Sequence, residues 1–348
     1  MTLQQKLNEL IDNLEPALEK AFRDALADIR SQIVLREVVE RLELLDIEGA
    51  IEALHIEPEA FRPLSDALRQ AFNQGGVLVV QNIPKITTPQ GARVVVRWDV
   101  ENQRAEQIIR TKAAQMVAQV TADTKQLVRE RIASGYAQGQ GPRNIATSIA
   151  GRIDRVTGKR EGGVIGMTSP QGRAVEKARG ALSLGDVEGM KAYLRLGKRD
   201  KRYDARVRKA IELGKPLDKE TVDKITRRLT AAYVNLRAQT IARTETMMAV
   251  SASQHEAYQQ SLDKSGRDSS LVTRTWRDAG DRRVRHTHTV LNGQKVVGMD
   301  LAFQSPSGAM LRYPGDTSLG AGAEEVVGCR CLCVYGFDFA SAYARSSG

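Results

Sequence analysis

Three cysteines, Cys329, Cys331 and Cys333, alternate within five residues, and His286 and His288 stand upstream of them. Residues two apart on an extended strand point the same way. Read as strands, these segments would turn His286 and His288 to one face and Cys329 and Cys331 to another. Imidazole and thiolate together suit a tetrahedral zinc ion. The plainer alternative is a set of buried, reduced thiols. An odd count, in neighbours that rarely bridge, argues against a disulfide framework.

Catalysis would need a nucleophile beside a base, or paired carboxylates in a cleft. The sequence has no nucleophile elbow, no phosphate-cradling glycine loop and no HExxH. The expectation is a protein that is not an enzyme.

The charges are more informative. Lys and Arg number 52 against 42 Asp and Glu, a net +10. Residues 1–75 are acidic, with 15 acidic and 8 basic side chains, whereas residues 151–230 hold 21 basic and 11 acidic ones. Two partners of opposite sign are implied. Lys191, Arg195, Lys198, Arg199, Lys201, Arg202, Arg206, Arg208 and Lys209 cluster within twenty residues, with Tyr193 and Tyr203 interleaved. Such a run could neutralise phosphates without reading sequence, or be only a solvated face. Arg243 and Glu245, two apart on a helix, cannot face each other. They are expected to pair with other elements, for instance with Asp281, Arg283 or Arg285, in a structural ion network.

These residues need a frame. Apolar side chains at Leu3, Leu7, Leu10, Leu14, Leu18, Phe22, Leu26 and Ile29 form a helical stripe. Pro16 predicts a break, with a longer helix starting near Glu15. Helical pattern continues over 31–55, Pro58 and Pro63 frame a short helix, and Gly75-Gly76 closes an acidic helical module, 1–75. Its apolar seams could pack on each other or meet another subunit.

Val77–Val80 and Val94–Trp98 then read as two strands or a hairpin. A long helix follows from Glu101 to about Gly135, and a short one from Pro142 carries Ile145, Ile149 and Ile153; together with the strands these make a segment 76–156. Residues 157–218 read as a basic, glycine-punctuated, partly helical and mobile insertion. A long uninterrupted helix runs from about Leu217 to Leu262. Beyond it the turn-rich remainder predicts short strands at Thr273–Trp276, Glu325–Val327 and Cys331–Tyr335, a primed turn at Asn292-Gly293, and Trp276 in the core. The expected class is α+β, predominantly α-helical, with long helices followed by a small mixed α/β domain, 219–338, and a tail, 339–348. No stretch reads as a membrane span or signal peptide, so a soluble chain made in the cytoplasm is expected.

Across the final third runs an ordered series: Ala242-Arg243-Thr244-Glu245, Trp276, Asp281-Arg282-Arg283-Val284-Arg285 with His288, Leu291-Asn292-Gly293, Phe303, Ser307-Gly308, Tyr313-Pro314-Gly315-Asp316 and Gly328-Cys329-Arg330-Cys331. In order and spacing it resembles the phage Mu F-like head morphogenesis family, minor capsid proteins of tailed phages and prophages, over about residues 230–335. The family usually has Asn where this chain has Gly328.

The resemblance implies a minor head protein present in few copies in the virion, inside the head near the portal, assembled in the bacterial host cytoplasm. Implied partners are the phage portal protein, the major capsid protein and packaged double-stranded DNA, with no membrane. His288 belongs to the family pattern and His286 does not. Other branches carry Cys-x-x-Cys where this chain has Arg285 and His288, and a permanent cation is a poor substitute for a metal ligand. No cofactor is therefore expected, with His286, His288, Cys329 and Cys331 as the residues a metal would use. Two rivals remain: a zinc-dependent enzyme or toxin on the same domain, and a free nucleic-acid-binding protein.

Overall fold

The computed structural model describes residues 1–339. The expected tail, 339–348, lies outside the described residues but for Phe339. The chain begins with α1 (Leu3–Gln32), α2 (Leu35–Glu43), α3 (Ile47–Glu52), a 3-10 turn and α4 (Arg62–Asn82). A hairpin of β1 (Ile86–Thr87) and β2 (Arg93–Val94) leads to α5 (Gln103–Ala137) and α6 (Pro142–Ala150). Then come β3 (Arg152–Ile153), β4 (Arg160–Glu161), α7 (Ser169–Leu184), α8 (Val187–Arg195), α9 (Asp204–Leu213) and the 47-residue α10 (Lys219–Ser265). The remainder is β5 (Val272–Arg277), α11 (His286–Leu291), β6 (Lys295–Val297), β7 (Phe303–Gln304), β8 (Met310–Leu311), α12 (Ala323–Val326) and β9 (Leu332–Phe337). The class is α+β and mostly helical.

Several local expectations change. Pro16 lies inside a continuous α1. Proline removes one N–H from the ladder, but Leu7, Ile11, Leu14, Leu18, Phe22, Leu26 and Ile29 are all buried, and a stripe anchored on both sides of the defect keeps one axis. Gly75-Gly76 does not end a helix, and Val77–Val80 is not a strand: α4 runs through both. A Cβ on Gly75 would lie 2.3 Å from Ser253 Oγ, and one on Gly76 would lie 2.3 Å from the Trp98 ring. These glycines let neighbours approach. Ile153 leaves α6 for a strand. Asn292 (φ −59°, ψ 124°) and Gly293 (φ 86°) form a type II turn, not a primed one, because only its second central residue has positive φ.

The chain divides into two compact units. One comprises residues 20–63 and 117–239. Phe22 stacks near Phe61, and the Arg237 guanidinium lies over the Phe22 face while donating to the Met167 carbonyl at 2.8 Å. The basic segment falls within this unit and is built of regular helices. Asp186 and Asp200 cap starts, and Gly185 and Gly214, both left-handed, end helices. Val175, Leu182, Met190, Tyr193 and Val207 are buried, so the expected mobile insertion is packed structure.

The other unit comprises residues 1–19, 64–116 and Thr240 onward. Its sheet has the order β6-β5-β9, antiparallel, with Arg274 opposite Val296 and Tyr335 and Trp276 opposite Cys333. Alternation on β5 turns Val272, Arg274 and Trp276 inward. Within α10, Thr246, Ser251, Ser253, Gln254, His255 and Glu256 are all buried. Buried polar groups call for partners, and two of these residues have them: Arg104 clasps Glu256 at 2.7 and 2.9 Å, and His255 Nδ1 meets the Tyr335 hydroxyl at 3.0 Å. Thr246 Oγ1, Ser251 Oγ and Gln254 Oε1 have none among the described residues.

Candidate functional site

The most chemically distinctive cluster lies where α11, α12 and the approach to β9 meet. The segment 286–291 is a helix, so His286 and His288 do not share a face as strand neighbours would. His288 is buried and His286 is exposed. Glu325, expected on a strand, lies in the one-turn α12 and is also buried. Its carboxylate meets His288 Nε2 at 2.8 Å and accepts from the hydroxyls of Thr287 at 3.1 Å, Ser305 at 2.9 Å and Ser307 at 2.7 Å. Burial would raise the Glu325 carboxyl, but these hydroxyls, Ser307 foremost, hold it below the usual carboxylate range. A carboxylate only accepts, which assigns the shared proton to Nε2 and turns the Nδ1 lone pair the other way.

Nδ1 faces two sulfurs, Cys329 Sγ at 3.5 Å and Cys331 Sγ at 3.3 Å. These three residues, all buried, form a group of donor atoms compact enough for one metal ion. Gly328 (φ 65°) turns the chain into this pair, and its N–H donates to Thr244 Oγ1 on α10 at 2.9 Å. Left-handed backbone of this kind is open to Gly at no steric cost. The hydrogen bond from the Cys331 thiol foremost holds the Cys329 thiol well below its usual range, while that same hydrogen bond, then burial, pushes Cys331 up. Trp276 packs edge-on against His288 at 5.1 Å. Cys333, facing the core elsewhere, is pushed up to about 12 by burial.

The charged residues expected to form one network are distributed. Arg243 pairs with Asp12 at 3.1 Å and with Glu15, both on α1. Glu245 faces Lys112; burial lifts its carboxyl to about 7, opposed by that ammonium. Asp281 is gripped by both guanidinium nitrogens of Arg330, at 2.5 and 2.6 Å, and held well below the carboxylate range. Arg283 only brushes it at 3.6 Å. Arg285 donates to the carbonyls of Glu324 and Val327, tying the start of α11 to α12.

Sequence reasoning missed Arg274, which is completely buried and donates to the carbonyls of Gly298, Leu301 and Arg312. An Arg among strand residues gave no signal beyond its inward place in the alternation. It also missed Glu325, whose carboxylate is held by His288, Thr287, Ser305 and Ser307, all distant in sequence.

In the basic cluster, Lys191 pairs with Glu188, Arg202 with Asp200, and Arg199 and Arg208 with Asp204. Arg195, Lys198, Lys201, Arg206 and Lys209 are exposed. Tyr193 is buried and cannot stack on bases. The same unit has a cleft of about 720 Å³, but its cations are largely matched by its own acids, Arg131 with Glu176 and Arg152 and Arg179 with Asp223.

Against known proteins, residues 201–334 match the family model described as phage Mu protein F like protein. An uncharacterized protein, YqbB, of Bacillus subtilis (strain 168) is 36% identical over 99 residues, covering 28% of this chain and 29% of that protein. The chain thus matches less than a third of that relative's length. No solved structure matches significantly.

Proposed function

We propose that this chain, whose residues 201–334 belong to the phage Mu protein F like family, is a structural minor head protein that serves head morphogenesis and is not a catalyst. It docks at the portal or the inner capsid and meets packaged DNA through the exposed cations of the 191–209 cluster.

The observation that carries a scaffold reading is where the motif residues spend their bonding capacity. Asp281 and Arg330 close on each other, Arg285 holds the end of α12, and Arg274 ties three loops to β5. Hydrogen bonds within a domain fix shape, whereas reacting groups must face a substrate. Among the described residues no helix is long and apolar enough to cross a membrane.

Two measurements test the proposal. Purified heads should contain the protein, and it should co-purify with the portal; heads lacking it would remove the reading. Converting Arg195, Lys198, Lys201 and Arg206 to Glu should weaken binding to mixed-sequence duplex DNA and flatten its salt dependence. Each lost phosphate contact lowers the log–log slope by about 0.9, so four contacts would remove between about three and four. An unchanged slope would refute DNA contact here while leaving portal docking to the first measurement.

A further inference from the structure

We infer that His288 Nδ1, Cys329 Sγ and Cys331 Sγ bind a zinc ion that locks the entry to β9 onto α11. The inference does not depend on the head-protein reading.

The first support is metric. With Zn–S near 2.3 Å and Zn–N near 2.0 Å, tetrahedral angles place neighbouring sulfur and nitrogen donors about 3.5 Å apart. The two sulfurs stand 3.5 and 3.3 Å from Nδ1. The spacing is that of an edge of the coordination polyhedron.

The second support lies behind the imidazole. A metal-bound His commonly gives its other N–H to a carboxylate, which fixes the tautomer and the ring plane. Glu325 holds Nε2 in this way and is itself fixed by three hydroxyls. Four side chains from three segments thus orient one buried ring, more than packing requires.

A donor also meets one of the sulfurs. The Cys331 N–H points at Cys329 Sγ at 3.4 Å, while the buried Trp276 indole N–H, beside the His288 ring, has no hydrogen-bond partner among the described residues. Thiolates bound to a metal still accept such bonds.

Finally there is space. A cleft of about 20 Å³ opens among Val284, Arg285, Gly328 and the three donor residues, lined also by Arg283 and Arg330, whose guanidinium groups are both paired with Asp281. That is enough for one water-sized occupant, which supplies a fourth vertex. Arg285 does not compete, since its guanidinium is committed to the carbonyls of Glu324 and Val327.

Two thiolates, one neutral imidazole and Zn²⁺ sum to zero charge, so the buried assembly avoids the penalty of isolated buried ions. Binding releases to solvent whatever thiol protons the pair still holds, that of Cys331 above all. Soft sulfur donors exclude Mg²⁺ and Ca²⁺.

The test uses the full chain, purified without a metal-binding tag, loaded with zinc and desalted. Elemental analysis should find stoichiometric zinc, and cobalt substitution should give a thiolate-to-cobalt charge-transfer band. Cys329→Ser, Cys331→Ser and His288→Ala should lose the metal, and His286→Ala should keep it. Glu325→Gln should bind about 10- to 100-fold more weakly. If a cysteine variant fails to fold, the wild-type protein decides: Cys329 and Cys331 should resist alkylation until a chelator is added, then react. Zinc-loaded protein without stoichiometric metal, thiols equally reactive with and without chelator, or zinc retained by a folded Cys331→Ser variant would each overturn the inference.

Discussion

Replacing Arg274 by Met keeps most of the aliphatic stem and removes the guanidinium, which isolates the bonds it makes. Three carbonyls, of Gly298, Leu301 and Arg312, lose a charged donor. Hydrogen bonds to charged groups contribute about 1.5–3 kcal/mol each, net of their exchange with water. Bonds that share one guanidinium are not additive, so the destabilisation should be that of one to two such bonds, about 3 kcal/mol. Urea unfolding followed by tryptophan fluorescence is the assay, because Trp98 and Trp276 both belong to the unit containing β5. With a slope near 2 kcal/mol/M, the midpoint should fall by about 1.5 M. A variant with unchanged midpoint and slope would show that the three carbonyls find other donors, and the view of Arg274 as the tie between β5 and its loops would fail.

Two further expectations concern α10. His255 is held neutral down to about pH 3 by burial, helped by Arg274 and Arg312. Its folded value is depressed, so the stability it supports is complete above about pH 6.5 and drains as pH falls toward 3; an NMR titration showing it charged at pH 5 in folded protein would contradict this. Glu245 shifts the opposite way, to about 7. Its contribution is present below about pH 4.5 and lost as pH rises through 7, so Glu245→Gln should make stability climb more steeply with pH across that window, and parallel curves would refute it. At Gly315 (φ 82°) a Cβ would lie 2.8 Å from Met248 Cγ. Left-handed backbone costs a non-glycine residue about 1–2 kcal/mol, so Gly315→Ala should lower the melting temperature by several degrees, and an unchanged melt would mean that the turn relaxes freely.

How much was legible depends on how far apart the cooperating residues lie. The stripe of α1, the uninterrupted pattern of α10, and the strands around Trp276 and Tyr335 could be read directly, since their evidence is local periodicity. So could the ordered series over about residues 230–335, which overlaps the residues 201–334 that match the phage Mu protein F like model. Val77–Val80 could not: a short apolar run suits a strand or a buried helix equally, and the fit of Gly76 against Trp98 settled it as helix.

The same limit governs the cluster around His288. The sequence could group His288 with Cys329 and Cys331 as candidate ligands, but it kept His286 among them and gave no sign that Glu325 and the serines stand behind the ring. As a helix, 286–291 separates His286 from His288, and one turn of α12 carries Glu325 to a ring 37 residues away. Sequence alone determined the long helices α1, α5 and α10 and the strands at Trp276 and Tyr335, because those depend on neighbours within a few residues. Which polar groups are buried together, in α10 and around Arg274 and His288, was decided by tertiary packing, because a buried donor is stable only where a distant acceptor meets it.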